Sequence, residues 1–205
     1  MEWQLSAAEV RVLGALLEKE TTTPEYYPLS LNALVNACNQ KSNREPVVNY
    51  DEDTVEDALA GLRSKSLAAR ITGDGRVPKH GQRFTETLNL GRREAAVMCM
   101  LMLRGPQTVG ELRGRGERLY PFDDLEAVES TLTRLAEMGM VQKLARQAGS
   151  RESRYAQLLS GEPAVGAEPV EVISSAPGQE ERIASLEQQL TELRREFEDF
   201  RRRFE

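Results

Sequence analysis

The chain has 205 residues and a formal net charge of −6, with 40% hydrophobic and only 5% aromatic residues. This length allows one large domain or two small ones, and the composition is that of an ordinary globular protein. The acidic balance argues against binding nucleic acid by overall charge alone, and the few aromatics argue against stacking platforms for single strands.

The sequence predicts no targeting segment, no disulfide framework and no structural metal site. The start MEWQLSAAEV lacks a basic segment followed by a long apolar core, and no 18-residue apolar stretch occurs elsewhere. We therefore expect a cytoplasmic protein without a signal peptide or membrane anchor. Cys38 and Cys99 lie far apart with no CxxC spacing, so neither a zinc site nor a disulfide framework is expected.

The first part of the chain predicts three helices followed by a β-hairpin. A capping box in SAAE opens a helix over residues 6–20, a short second helix ends near Cys38, and a third opens at Asp53. LAARI and RVPKHGQRF then indicate two strands joined by a GDG turn, with Pro78 suited to an edge strand. This is the element order of a winged-helix domain.

The same order recurs in the second part of the chain. A more apolar helix covers residues 91–104, TVGELRGRGERL gives a second, a third stops at Gly139, and MVQKL with SRYAQL forms a hairpin. Apolar positions of the third helices match at an offset of 73, which indicates an internal duplication. The expected fold is mainly α with small β-hairpins (α+β), built as tandem winged-helix domains over residues 1–86 and 87–159.

The end of the chain differs in composition. Residues 160–181 are rich in Gly, Pro, Ser, Ala and Glu and predict a flexible linker, whereas residues 182–205 predict a coiled-coil helix. Its a and d positions are Ile183, Leu186, Leu190, Leu193, Phe197, Phe200 and Phe204. Such an apolar stripe is expected to be buried against another surface. That surface belongs to a second copy of the chain, which would give a homo-oligomer, or else to the chain's own domains or to another protein.

Winged helices commonly place the third helix in the DNA major groove and the hairpin near the backbone. Both third helices here begin with carboxylates, in DEDTVED and DDLEAVE, which repel phosphates but also suit a helix start through its dipole. The candidate nucleic-acid-binding residues are therefore cations elsewhere: Lys41, Arg44, Arg76, Lys79, Arg83, Arg146, Arg151 and Arg154.

The stretch NACNQKSNREPVVNYDED passes from polar, Asn-rich residues to acidic ones. NQKSNR offers amide and cationic donors to a phosphate backbone, and the acidic half suits a contact with another protein. The Asn side chains can also hold the loop itself through bonds to its backbone, which is the use that we expect.

Catalytic motifs are absent from the sequence. His80 is the only histidine and is predicted to be a solvent-exposed residue of the first hairpin. There is no nucleophile elbow, Walker loop or GxGxxG sequence. We expect no enzymatic activity, no metal site and no cofactor.

Several stretches together resemble the YceH-like family of bacterial proteins, above all TPEYYPLSLNAL joined to NQKSNREPV, with RVPKHGQRF and SRESRYAQLL. The resemblance covers about residues 4–159 and implies a tandem winged-helix fold but no particular activity, so no functional residues carry over. The architecture also looks like that of chromosome-segregation proteins of the ScpB group, which pair tandem winged helices to bind a protein partner.

Two functions stay open. The first is a DNA-binding, transcription-regulatory protein whose hairpins contact duplex DNA. The second is a protein–protein interaction module without direct DNA binding, in which the polar-to-acidic surface from Asn39 to Asp57 and the Phe-rich tail meet a partner. No membrane partner is expected.

Overall fold

A computed structural model describes residues 4–71, 77–146 and 152–161. These residues belong to one compact unit, and none of their helices is long and apolar enough to cross a membrane. The coiled-coil helix predicted over residues 182–205, with all seven of its a and d positions, lies outside the described residues. So does the predicted linker beyond Gly161.

Besides a short 3-10 helix at Pro24–Tyr26, the first repeat contains four α-helices and three short strands. In chain order these are α1 (Ala7–Thr22), β1 (Leu29–Ser30), α2 (Leu31–Cys38), α3 (Glu52–Ser64), β2 (Ala68–Ile71), β3 (Lys79–Gln82) and α4 (Phe84–Thr87). Ser6 caps α1 as predicted, accepting a bond from the Glu9 amide while its own amide donates to the Glu9 carboxylate. The N-cap of α3 is Asp51, two residues before the predicted start.

The three strands of the first repeat form an antiparallel sheet in the order β1-β3-β2. Leu29 pairs with His80 on one side of β3, and Ala68 pairs with Gln82 on the other. The prediction that Pro78 marks an edge strand is therefore wrong, because β3 is the central strand. Pro78 directly precedes β3, where its missing N–H removes no ladder bond.

The second repeat has three helices and two strands, in the order that α1, α2, α3, β2 and β3 have in the first repeat. They are α5 (Arg92–Arg104), α6 (Val109–Gly116), α7 (Leu125–Glu137), β4 (Val141–Lys143) and β5 (Tyr155–Gln157). β4 and β5 pair antiparallel, and Gln107, just before α6, forms a bridge with Tyr155. The structure is thus mainly helical, with small antiparallel sheets.

The two repeats share one hydrophobic core. Helix α1 packs more extensively on α5 than on any other described element. Gly14 permits this approach, since a Cβ there would lie 2.9 Å from Cδ2 of Leu103. Buried side chains of both repeats join in a single cluster, and the predicted boundary between residues 86 and 87 falls inside α4.

Candidate functional site

The segment between α2 and α3, residues 39–50, is here called the 39–50 loop. Its ends are tied together by Asn39, whose amide nitrogen donates to the Tyr50 carbonyl at 2.7 Å. The Asn39 amide oxygen accepts from the Tyr50 N–H at 2.8 Å. The expectation that Asn side chains hold this loop through backbone bonds is confirmed for Asn39.

Arg44 belongs to the 39–50 loop, and it is 6% exposed. Its guanidinium forms a bidentate pair with Glu18 of α1, at 2.6 and 3.1 Å, and donates to the Ala37 carbonyl. Burial raises the pKa of Glu18, but the hydrogen bonds and charge of Arg44 outweigh burial and hold it below its usual value. Arg44 therefore points inward with its charge neutralised, which removes this candidate from the surface open to DNA.

The 39–50 loop also reaches the second repeat. The Glu45 N–H donates to the carbonyl of Leu103 in α5 at 2.8 Å, and Arg104 donates to the side-chain oxygen of Asn43. Asn43 adopts a left-handed φ of 59°, a conformation for which Asn is favoured. The most specific stretch of the sequence thus fastens the end of α5 to the first repeat.

Arg11 of α1 supports the 39–50 loop from below. It is 4% exposed, and it donates to the carbonyls of Cys38 at 3.1 Å and Pro46 at 2.6 Å. Burial, followed by the nearby charge of Arg44, lowers the pKa of Arg11. Burial also raises the pKa of the Cys38 thiol to about 12, so this cysteine is a neutral packing group. Lys41, another candidate, is exposed on the loop.

His80 on β3 is only 7% exposed, so its prediction as a solvent-exposed residue is wrong. The reason is that β3 is central in the sheet and His80 lies opposite the buried Leu29. Its Nδ1 is buried and has no hydrogen-bond partner among the described residues. Burial lowers the pKa of His80, and the charges of Arg63 and Arg70 lower it further while Glu56 raises it.

Two cations of this region were missed by the sequence analysis. Arg70 of β2 lies directly opposite His80 in the ladder, and Arg63 lies in the last turn of α3. Neither forms an ion pair with a described residue. With the exposed Lys79 next to His80 they form a group that we call the sheet cations. The strand register, which the sequence does not reveal, places Arg70 opposite His80, whereas Lys79, the next residue along β3, points to the other face of the sheet.

The other candidate residues are dispersed. Arg83 is exposed and pairs with Glu86 at 3.2 Å, whereas Arg154 donates to Glu111 at 3.0 Å and to the Pro106 carbonyl. Arg146 is exposed at the end of the described hairpin segment. Arg76 and Arg151 lie outside the described residues. The predicted set therefore does not form one continuous surface among the residues that the structure describes.

The carboxylates at the starts of the third helices act as caps. Asp51 accepts from the Thr54 N–H at 2.9 Å, and Asp124 accepts from the Ala127 N–H at 2.8 Å. The hydrogen bonds from Thr54 lower the pKa of Asp51. Four further carboxylates of α3 are exposed: Glu52, Asp53, Glu56 and Asp57. Among the described residues, no group of His, Cys, Asp and Glu has the arrangement of a metal site.

Comparison with known proteins places this structure in a family. Residues 5–150 match the family described as "Protein of unknown function, DUF480". A UPF0502 protein of Solibacter usitatus is 67% identical over 206 residues, covering 100% of both chains. A UPF0502 protein of Pelobacter propionicus is 54% identical over 209 residues, covering 98% of this chain and 95% of its own.

A third relative, a UPF0502 protein of Citrifermentans bemidjiense, is 53% identical over 194 residues, covering 93% of this chain and 90% of its own. The relatives match over nearly their whole lengths, so the similarity extends beyond the two repeats. The match also confirms the resemblance to YceH-like proteins that the motifs indicated. The chain therefore belongs to the DUF480 family, the bacterial family that includes the UPF0502 proteins.

Proposed function

We propose that this protein binds duplex DNA as a tandem winged-helix protein and that the sheet cations make the phosphate contacts. The repeated order of three helices and two strands supports this proposal, together with the central position of β3 in the first sheet. In winged-helix proteins the hairpin lies near the DNA backbone, which is where these cations would be needed.

The observation that supports the proposal is that Arg63 and Arg70 both lie close enough to His80 to lower its pKa, while the exposed Lys79 is its neighbour along β3. Arg63 lies ten residues beyond Asp53, or about 15 Å along α3 at 1.5 Å per residue. The Debye length is about 10 Å at 0.1 M salt, so the carboxylates of the first turn of α3 are largely screened from a phosphate near Arg63. Glu56 lies closer, since its charge acts on His80, and it reduces the positive potential there. DNA would therefore meet the sheet and the end of α3, and the acidic first turn would stay out of the groove.

The experiment is fluorescence anisotropy with random-sequence duplex DNA at about 50 and 200 mM salt, the range in which counterion release is visible. Three phosphate contacts predict a slope of log K against log salt of about −2.7, or roughly 40-fold weaker binding at the higher salt. The variant Arg63→Ala/Arg70→Ala/Lys79→Ala should lose this binding and most of the salt slope.

A matched control removes three exposed arginines from the second repeat, as Arg92→Ala/Arg113→Ala/Arg118→Ala, and changes the net charge by the same amount. It should retain DNA binding. Equal losses in both triple variants would show that bulk charge, not the sheet, attracts DNA. The proposal fails if the unaltered protein does not bind DNA at about 50 mM salt.

A second function, a protein–protein interaction module, is favoured by the exposed carboxylates of α3. Glu52, Asp53, Glu56 and Asp57 form no ion pair with a described residue, so they are available to a basic partner surface. Pull-downs that compare the unaltered chain with a variant carrying Ala at all four positions test this function.

The control for the pull-down is Glu126→Ala/Glu129→Ala, which removes exposed carboxylates from the corresponding helix of the second repeat. A partner lost only with the α3 variant would support the interaction module. Identical sets of captured proteins from all three chains would count against it.

A further inference from the structure

A cleft opens between the two repeats where the end of α1 meets the start of α5. Its volume is about 200 Å³. The apolar part of its lining consists of Leu17, Leu90, Ala95, Ala96, Cys99 and Leu119. Cys99 is 1% exposed and burial raises the pKa of its thiol, so it adds no charge to this surface. The floor of the cleft is therefore apolar and uncharged.

Two of the polar side chains that line the cleft, Glu20 and Thr85, are held in place by Gln82 at the end of β3. Its amide nitrogen donates to Glu20 at 2.7 Å and to the Thr85 hydroxyl at 2.9 Å. Its amide oxygen accepts from the Thr85 N–H at 3.0 Å. This bridge fixes a carboxylate from α1 beside a hydroxyl from α4, so the polar side of the cleft is pre-organised.

Two opposite charges line the same cleft. Glu20 comes from α1 of the first repeat and Arg92 from the first turn of α5 in the second. They do not pair with each other, and neither forms an ion pair with another described residue. A ligand carrying both an ammonium group and a carboxylate would complement both of them.

We infer that this cleft binds an α-amino acid with an aliphatic side chain, whose ammonium group meets Glu20, whose carboxylate meets Arg92 and whose side chain packs on the apolar floor. A concave apolar surface with a few fixed polar groups is the usual form of a small-molecule site. At about 30 Å³ for each water-sized group, the cleft holds roughly seven such groups. This is close to the size of valine or leucine, because covalently bonded atoms lie closer together than waters do.

The bound amino acid would touch both repeats, since residues of both α1 and α5 line the cleft. At the other end of these helices the 39–50 loop already ties α5 to the first repeat through the bond from Glu45 to Leu103. The cleft thus lies at one end of the α1–α5 pair, and the 39–50 loop holds the two helices together at the other end. The inference does not depend on DNA binding, because it concerns a different surface from the sheet cations.

The test is an NMR titration of the full chain with L-leucine, following the methyl resonances of Leu17, Ala95 and Ala96. Concentrations should reach about 10 mM, because ligands of so few atoms bind in the micromolar to millimolar range. Isocaproate lacks the ammonium group and isoamylamine lacks the carboxylate. Each should bind at least about tenfold more weakly than leucine if both charges are recognised.

Variants separate recognition from folding. Glu20→Gln keeps an oxygen that accepts from Gln82 but removes the charge, and Arg92→Ala removes the cation; each should weaken leucine binding by about tenfold or more. Ala95→Leu, at a partly exposed position, should fill the cleft and abolish binding. Arg118→Ala, an exposed arginine outside the cleft, should bind leucine as the unaltered chain does.

The inference is overturned by the absence of methyl shifts with leucine at about 10 mM, the highest concentration that a ligand of this size warrants. It is equally overturned if leucine, isocaproate and isoamylamine bind alike, since the two charges then contribute nothing. Unchanged leucine binding in Glu20→Gln and Arg92→Ala, with their spectra still those of a folded chain, would also overturn it.

Discussion

The role assigned to Arg44 changes once its surroundings in the structure are known. In the sequence it is one of several cations in a polar stretch, but in the structure its side chain is fully buried and bonded to Glu18. A buried charge that loses its partner costs more than an exposed one, because the remaining charge is left desolvated. Arg44 therefore has a structural role, and its replacement should lower the stability of the fold rather than act on DNA binding directly.

We predict that Arg44→Ala lowers the free energy of unfolding by about 3 kcal/mol, the lower end for breaking a buried ion pair, because the largely buried Glu18 carboxylate keeps only the longer contact with Lys19 at 3.5 Å. Urea unfolding followed by circular dichroism measures this loss. Lys41→Ala, three residues earlier and exposed, should change stability by less than about 0.5 kcal/mol. Similar midpoints for the two variants would show that the Arg44–Glu18 pair is not structural.

His80 makes stability depend on pH. Its pKa is lowered by burial and by Arg63 and Arg70, so the unfolded chain takes up a proton at higher pH than the folded one. The stability contribution of the neutral imidazole is complete above the unfolded pKa of about 6.5 and declines as the pH falls towards the lower folded value. His80 is the only histidine in the chain.

We therefore predict that the urea midpoint falls between about pH 7.5 and 5.5, and that His80→Gln flattens this dependence. The measurement is a series of urea transitions at fixed ionic strength for both proteins. A rise in the midpoint on acidification would contradict the direction given by the lowered pKa of His80. An equally steep fall in the variant would assign the dependence to another group.

At the scale of elements, local signals predicted the helices well. The starts of α1 and α5, the end of α2 and both hairpins agree with the sequence patterns to within a few residues, because capping and periodicity are local properties. β1 was missed, since a two-residue strand carries no alternation to detect. The central place of β3 was also missed, because it depends on β1 pairing across a long stretch of chain.

The packing of α1 on α5 gives a prediction for Gly14. A Cβ at this position would lie 2.9 Å from Leu103 Cδ2 and 3.1 Å from Met102 Cβ, so Gly14→Ala must push the helices apart. Overpacking of this kind costs about 1–3 kcal/mol, which opposes a gain of up to about 1 kcal/mol in helix propensity. We expect a net loss of stability, measured by thermal or urea unfolding.

Gly114→Ala in α6 is the matched control for Gly14→Ala. No atom lies within 4 Å of a Cβ built there, so only the gain in helix propensity remains. This variant should be neutral or more stable by up to about 1 kcal/mol. If Gly14→Ala were as stable as the control, the close approach of α1 and α5 would not require glycine at position 14.

For the whole molecule, the sequence predicts self-association through the apolar stripe of residues 183–204. We expect light scattering to give the full chain at least twice its monomer mass of 23.0 kDa. A chain ending at residue 161 retains every described element and should be monomeric. A monomeric full chain would instead mean that the stripe is covered by the chain's own domains or requires another protein.

The sequence by itself predicted the type and order of most elements, the family and a structural role for Asn side chains in the 39–50 loop. These follow from local hydrogen bonding, from hydrophobic periodicity and from motifs that lie together along the chain. Only the tertiary structure decided that Arg44 faces inward, that His80 is buried and that Arg63 and Arg70 lie near it. Burial and contact depend on which distant segments pack together. Neither the sheet register nor the α1–α5 interface can therefore be predicted from any single segment of the sequence.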